Sequence, residues 1–299
     1  MTLSEIVPKG FRSGFAALIG RPNVGKSTLL NQLVGEKIAI TSPVAQTTRN
    51  RLKAILTTSE AQLIIVDTPG IHKPHHLLGE KLVQSARKSI GEVDLVVLMF
   101  DASTPPGKGD SFIVELLRQQ KIPVVIALNK CDLVSEEIFH ERVNQYEIMV
   151  ATTSWPINCC SAMSGEGCKR LIEGLIDCLP EGPQLYPSEM VSDQPEKILL
   201  AELIREQVIM HTREEVPHSV AVQIERIDEI SIRGSKSTKN FRTAILATVL
   251  VERKSQKGIL IGKNGNMLKI IGSGARRQMQ KLIDGQVYLE LFVKVVPDW

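Results

Sequence analysis

The chain has 299 residues, 43% of them hydrophobic, and a net charge of +3. That length accommodates two domains with a sizeable core, and nothing in it is low-complexity or repeats at a solenoid period. No apolar run approaches the ~18 residues of a membrane span. The start, MTLSEIVPKGFRSG, has neither the apolar stretch of a secretory signal nor the Arg/Ser bias of a transit peptide, so a cytoplasmic protein is expected.

Apolar runs come first: Phe15–Ile19, Leu63–Val66, Leu95–Phe100, Val124–Leu128 and Ile157–Cys160 alternate with helical patterns. Strands apolar on both faces are buried on both, which predicts a mostly parallel sheet with helices on either side. PEGPQLYPSEMVSDQP, 180 to 195, has four prolines and no apolar periodicity, and reads as a semi-rigid linker. Beyond it come a helical stretch at Glu196–Thr212, strand-like Val220–Ile230 and Phe241–Glu252, a short helix, a longer helix at Asn266–Ile283 and a last strand. In that strand Val287, Leu289, Leu291, Val293 and Val295 alternate with Tyr288, Glu290, Phe292 and Lys294, so one face is buried. The expected domains are an α/β domain over 1–179, a linker over 180–195 and an α+β domain over 196–299.

The charge is divided unevenly. Residues 196–299 hold 17 Lys/Arg against 12 Asp/Glu, whereas residues 1–195 hold 19 against 21. The basic surface therefore belongs to the C-terminal part. The five cysteines, Cys131, Cys159, Cys160, Cys168 and Cys178, are odd in number and form no C-x-x-C, so reduced thiols are expected rather than a disulfide framework or a zinc site.

The first strand runs into Gly20-Arg21-Pro22-Asn23-Val24-Gly25-Lys26-Ser27-Thr28. This G-x-x-x-x-G-K-S spacing is a phosphate-gripping loop: backbone N–H groups wrap the β-phosphate, Lys26 reaches the β and γ oxygens, and the Ser27 hydroxyl ligates Mg²⁺. Asn129-Lys130-Cys131-Asp132 follows a later strand. A carboxylate at Asp132 accepts the N1 and 2-amino protons of guanine, which adenine does not offer, and an unpaired buried carboxylate is costly; the pattern therefore selects GTP and GDP over ATP. Asn129 supports the loop, the Lys130 stem covers the base and Ser161-Ala162 offers backbone N–H to guanine O6. Asp67-Thr68-Pro69-Gly70 ends another strand: Asp67 is expected to hold Mg²⁺ through water and Gly70 to sense the γ-phosphate. In the polar stretch SPVAQTTRNR between them, Thr48 is favoured over Thr47 to complete the Mg²⁺ shell. Segments that grip only the γ-phosphate release it after hydrolysis, which makes a switch. An ATP-dependent kinase or transporter is the alternative that the NKCD tetrad argues against.

Two features depart from the usual pattern. Ile71 stands where Ras-type enzymes place a water-positioning glutamine, so catalysis needs another source, or a partner, or the nucleotide serves a non-hydrolysing scaffold. His72, His75 and His76 lack a cysteine to complete a zinc site and read as an exposed loop. Arg49 and Arg51 read as solvated charges.

From 253 to 283 the chain carries eight basic residues and no acidic one. Within it Gly258-Ile259-Leu260-Ile261 leads into Gly262-Lys263-Asn264-Gly265. Such a G-x-x-G loop lets a nucleic-acid backbone approach closely, and Lys263 adds charge. Ile261 and its apolar neighbours are expected to floor the groove. Lys269 and Arg276 share a helix face, and Arg233, Lys236, Lys239 and Arg242 could add phosphate contacts. No aromatic stacking platform is evident, so base recognition would rest on hydrogen bonds and aliphatic packing. The order helix, two strands, helix, G-x-x-G, helix, strand resembles the type II KH topology, which implies single-stranded RNA binding.

GRPNVGKS, QTTR, DTPG, NKCD and SAM in this order resemble the translation-factor-related GTPases, and together with a KH half the chain resembles the Era-type GTPases over almost its whole length. The resemblance implies a GTP-hydrolysing enzyme with Lys26, Thr48, Gly70 and Asn23 at the reaction centre. It implies binding near the 3′ end of small-subunit ribosomal RNA, a part in 30S maturation, a monomer, and weak peripheral association with the inner face of the membrane. In related GTPases an asparagine at the position of Asn23 helps bind K⁺ in the role of an arginine finger, so K⁺ is an expected cofactor. A related GTPase acting on another RNA is the competing reading.

Overall fold

The computed structural model describes residues 8–41, 52–67, 90–231 and 241–297. The expected positions Thr48, Thr68, Pro69 and Gly70 lie outside the described residues, as do Thr47, Arg49, Arg51, Ile71, the three histidines, Arg233, Lys236 and Lys239.

The chain divides into two compact units. The first holds a six-stranded sheet in the order β2-β3-β1-β4-β5-β6. Its strands are β1 Arg12–Gly20, β2 Leu52–Thr57, β3 Ala61–Asp67, β4 Leu95–Asp101, β5 Val124–Asn129 and β6 Ile157–Cys159. The helices are α1 Lys26–Val34, α2 Lys108–Arg118, α3 Glu136–Val150 and α4 Cys168–Asp177. All neighbouring strands are parallel except β2, which pairs antiparallel with β3. In β1, Ala16 and Leu18 enter one core layer with Leu29, Leu30, Leu171 and Leu175, while Ala17 and Ile19 enter the other with Ile113, Leu117, Tyr146 and Val150. Period two with both sets apolar is what places α1 and α4 on one face and α2 and α3 on the other. The strand order reverses at β1, between β3 and β4, and open α/β sheets bind ligands at the strand ends beside such a reversal.

No long apolar run in the sequence marks β2. The segment from 180 to 193 is also more than a spacer. Buried Gln62 accepts the Leu185 and Tyr186 N–H groups at 2.7 and 2.8 Å and donates to the Tyr186 carbonyl at 2.8 Å. The Ile55 N–H donates to the Val191 carbonyl at 2.9 Å, and Lys53 pairs with Asp193 at 2.8 Å. Residues up to Asp193 thus pack with the first unit.

The second unit has α5 Glu196–His211, β7 Val220–Ser231, β8 Phe241–Val251, α6 Lys254–Ile261, α7 Asn266–Met279 and β9 Gln286–Val295. Its sheet runs β7-β8-β9, antiparallel then parallel. Leu203, Ile204, Val208, Leu260, Ile271, Ala275 and Met279 fill the core against the sheet. Gly274 lets α7 meet α5 closely: a Cβ there would lie 2.0 Å from the Gln207 Oε1. Ile40 and Thr41 belong to this unit, and the buried Glu206 carboxylate accepts the Thr41 N–H at 2.8 Å.

Candidate functional site

The phosphate-gripping loop leaves β1 at the strand reversal and opens α1. Gly25 has φ +99°, and a Cβ on it would fall 2.3 Å from Asn129 Nδ2, so only glycine closes the loop there. Asn23 takes the left-handed conformation, φ 63°, and is exposed. The Lys26 amine is buried inside the loop, donating to the Gly20 and Arg21 carbonyls at 3.3 and 3.0 Å. Burial pulls it down to about 8, with nearby Asp67 pulling the other way.

The Ser27 hydroxyl donates to Asp67 Oδ2 at 3.4 Å. A hydroxyl and a fully buried carboxylate brought together are hard oxygen donors of the kind Mg²⁺ takes alongside phosphate oxygens. The residues present therefore fit the ion.

Arg21 is held on the far side of the loop. Its Nε lies 2.7 Å from Asp110 Oδ1, and its Nη2 donates to Thr104 Oγ1 at 3.3 Å. Asp110 also accepts the Gly107 N–H at 2.8 Å; burial raises its carboxyl while that N–H and Arg21 lower it.

The base side is built from β4, β5 and β6. Asn129 Nδ2 donates to the Val24 carbonyl, and its Oδ1 accepts the Ala162 N–H, both at 2.8 Å. The amide thus joins three loops. Lys130 stands at φ 66° with its amine 2.6 Å from Asp101 Oδ2, while Asp101 Oδ1 accepts the Ser103 N–H at 2.9 Å. Asp132 sits exposed in the short turn at 131–133, and Ser161 and Ala162 are buried at the end of β6. Asp101 and Asp110 were not expected from sequence. Each closes a strand or opens a helix next to a named motif, and only the fold shows which lysine or arginine it meets.

In the second unit the G-x-x-G turn joins α6 to α7. Gly262 has φ 70° and ψ 178°, a region essentially restricted to glycine, and a Cβ there would meet Met267 Cβ at 2.7 Å. Asn264 is left-handed at φ 53° and ψ 29°, which asparagine tolerates. Lys263, Asn264 and Lys269 are exposed, and Gly265 has φ +76° with open space around it.

A depression runs from Gly265 along α7 past Lys269, Gly272 and Arg276, facing Tyr288, Leu289 and Leu291 of β9. Its apolar floor comes from Leu268, Leu289 and Leu291. Leu260 of the expected shoulder is buried in the core, Ile261 packs half-buried against that core, and Gly258 is exposed. An aromatic is present after all: Tyr288, half-exposed, stands beside Arg276, and Arg242, Arg277 and Gln286 line a second depression around the same ring. The alternation in β9 had already put Tyr288 on the face away from the core.

Residues 15–130 match the family model described as a 50S ribosome-binding GTPase, and residues 215–299 match that of the KH domain. The chain is 54% identical to the GTPase Era of Rippkaea orientalis and of Synechocystis, over 98% of this chain and 90% of each relative. It also resembles the crystal structure of Era in complex with MgGDPNP and nucleotides 1506–1542 of 16S ribosomal RNA, with a TM-score of 0.86, 37% identity, 97% of this chain and 95% of that one covered. An Aquifex aeolicus Era variant bound to GDP and tetrafluoroaluminate gives the same values. With a phosphate-gripping loop, an NKCD turn and a G-x-x-G turn in one chain, and relatives matched nearly end to end, this chain belongs to the Era family of GTPases.

Proposed function

We propose that this GTPase switches the hold of its KH groove on the single-stranded 3′ end of small-subunit ribosomal RNA, and so assists 30S maturation. The observation that carries the reading is the pairing of a guanine-selective clasp with a basic G-x-x-G groove. The relative solved with nucleotides of 16S ribosomal RNA supports the RNA class.

In this reading Gly20 to Thr28 wrap the phosphates, and Lys26 neutralises the β and γ oxygens. Ser27, Asp67 and Thr48 hold Mg²⁺, which draws charge off the transferring phosphoryl group. Asn129 locks the clasp, Asp132 reads guanine, and the Ser161-Ala162 backbone meets O6. Gly70 and Thr48 register the γ-phosphate, and their release after hydrolysis resets the RNA groove. Because Ile71 cannot orient water, Asn23 is assigned to K⁺ binding, and turnover should be faster in K⁺ than in Na⁺ at equal ionic strength. On RNA, Lys263, Lys269 and Arg276 meet phosphates, while Gly262 and Gly265 allow the backbone close. We place the protein in the cytoplasm as a monomer, with peripheral contact to the inner membrane face.

The test is GTP hydrolysis with and without a single-stranded oligonucleotide matching the 3′ end of small-subunit ribosomal RNA. The partner variant is Lys263→Asp with Asn264→Asp, which keeps both glycines; aspartate also tolerates the left-handed position. Stimulation that the variant loses supports the switch. Equal hydrolysis with and without RNA removes it.

A further inference from the structure

β5 and β6 run parallel with Leu128 beside Cys159, and both strands end beneath the guanine clasp. After β5 the chain turns through left-handed Lys130 and brings Cys131 back over the end of β6. The Cys131 N–H donates to the Cys160 carbonyl at 3.2 Å, and the Cys160 N–H donates to the Leu128 carbonyl at 2.9 Å. The Cys131 thiol donates to that same Leu128 oxygen at 3.2 Å, and Leu128 is the residue that pairs with Cys159 across the two strands. Both side chains pack against one apolar cluster, and both stay partly exposed. Cys160 and Cys168 are also close by, with the Cys168 thiol 3.7 Å from the Ser161 carbonyl, but both are buried.

Two partly exposed thiols packed against one cluster, one ending β6 and the other in the turn after β5, are a disulfide site. One of them stands between Lys130 and Asp132. We propose that Cys131 and Cys159 form a reversible disulfide on exposure to a peroxide, and that this bond weakens guanine-nucleotide binding.

The roles are set by what surrounds each thiol. Cys131 is pushed up by its neighbour Cys159 and by burial, whereas Cys159 is pushed down by Cys131 and by nearby Arg170. The Cys159 thiolate attacks the peroxide O–O bond and takes one oxygen, releasing water or an alcohol. The Cys131 sulfur then attacks the Cys159 sulfur, the S–S bond forms, and the hydroxyl leaves as water with the remaining proton. Two thiols are oxidised and one peroxide is reduced. An S–S bond is about 2.0 Å long, shorter than any contact of unbonded thiols. Closing it drags Cys131 toward β6 and carries Lys130 and Asp132 with it. The resting state remains the reduced pair, and cellular thiols reopen the bond.

The consequence for affinity rests on Asp132 reading guanine; the bond itself does not. The test treats the full chain with hydrogen peroxide, maps disulfides by peptide mass, and measures GDP affinity before treatment, after it, and after a dithiol reductant. Cys159→Ser is the companion variant. The expected result is a 131–159 bond, affinity reduced at least tenfold and restored on reduction, with a variant that binds GDP normally and ignores peroxide. The proposal is overturned by absence of the 131–159 bond, by a bond that leaves affinity unchanged, or by equal peroxide sensitivity in Cys159→Ser. Failure of the reduced protein to bind GDP would instead count against the nucleotide reading, with the mapping still deciding the bond.

Discussion

Asn129 ties the NKCD turn to the phosphate loop through one hydrogen bond, from its Nδ2 to the Val24 carbonyl at 2.8 Å. Its Oδ1 is committed to the Ala162 N–H, so Asn129→Ala strands a buried acceptor and a buried donor at once. At ~1–3 kcal/mol for each stranded group, the first unit should lose about 2–4 kcal/mol. Denaturant unfolding should report that loss, and GDP binding should weaken at least tenfold in the same variant.

Lys26 gives the pH dependence. The amine sits near 8 in the buried loop, and bound phosphate raises it, so binding takes up a proton. GDP affinity should hold steady below pH 8 and fall by up to tenfold per pH unit above it. Stability of the nucleotide-free protein should move oppositely. The unfolded chain, with Lys26 at its ordinary value of 10.5, binds more protons between about 8 and 10.5, so this residue makes stability rise with pH there. Calorimetric titrations and melts at pH 7 to 10 check both signs.

Asp101 positions Lys130 from 29 residues away. Asp101→Asn should free the lysine stem from the base face, weakening GDP binding about fivefold, or about 1 kcal/mol for a partly buried pair. Hydrolysis at saturating GTP should stay near wild type. Equal loss in KM-type and kcat-type parameters would assign Asp101 to the reaction itself.

Gly262 and Gly258 make a contrast within α6 and its cap. Gly262→Ala places a Cβ against Met267 at a backbone angle alanine avoids, and should cost ~1–3 kcal/mol. Gly258 lies inside α6 with nothing within 4 Å of a Cβ, so Gly258→Ala should raise the melting temperature slightly through better helix propensity. If Gly258 also meets RNA, the more stable variant should bind it less tightly, which fluorescence anisotropy would show.

The phosphate loop, NKCD and the G-x-x-G turn were legible because each is a contiguous string whose chemistry needs those residues side by side. The parallel strands were legible because burial on both faces leaves long apolar runs. Strand β2 was not: its six residues follow a polar stretch, and Lys53 breaks the run at an edge. Asp101, Asp110 and Tyr288 were missed because each works on a partner elsewhere in the chain, Lys130, Arg21 and Arg276, and no local spacing encodes those meetings.

The bond from Ile55 to Val191 bears on how the first unit can be handled alone. Strand β2 is the outermost of its sheet, and residues 191–193 cover its free edge through the Ile55 N–H, the Ala54–Ser192 bridge and the Lys53–Asp193 pair. A truncation ending at Pro180 strips that cover and leaves backbone donors and acceptors bare beside buried Leu52, Ala54 and Ile55, a template for pairing with another copy. A truncation ending at Asp193 keeps the edge closed. The proline-rich stretch is thus a guard against self-association, carried by the residues that seem only to join two halves.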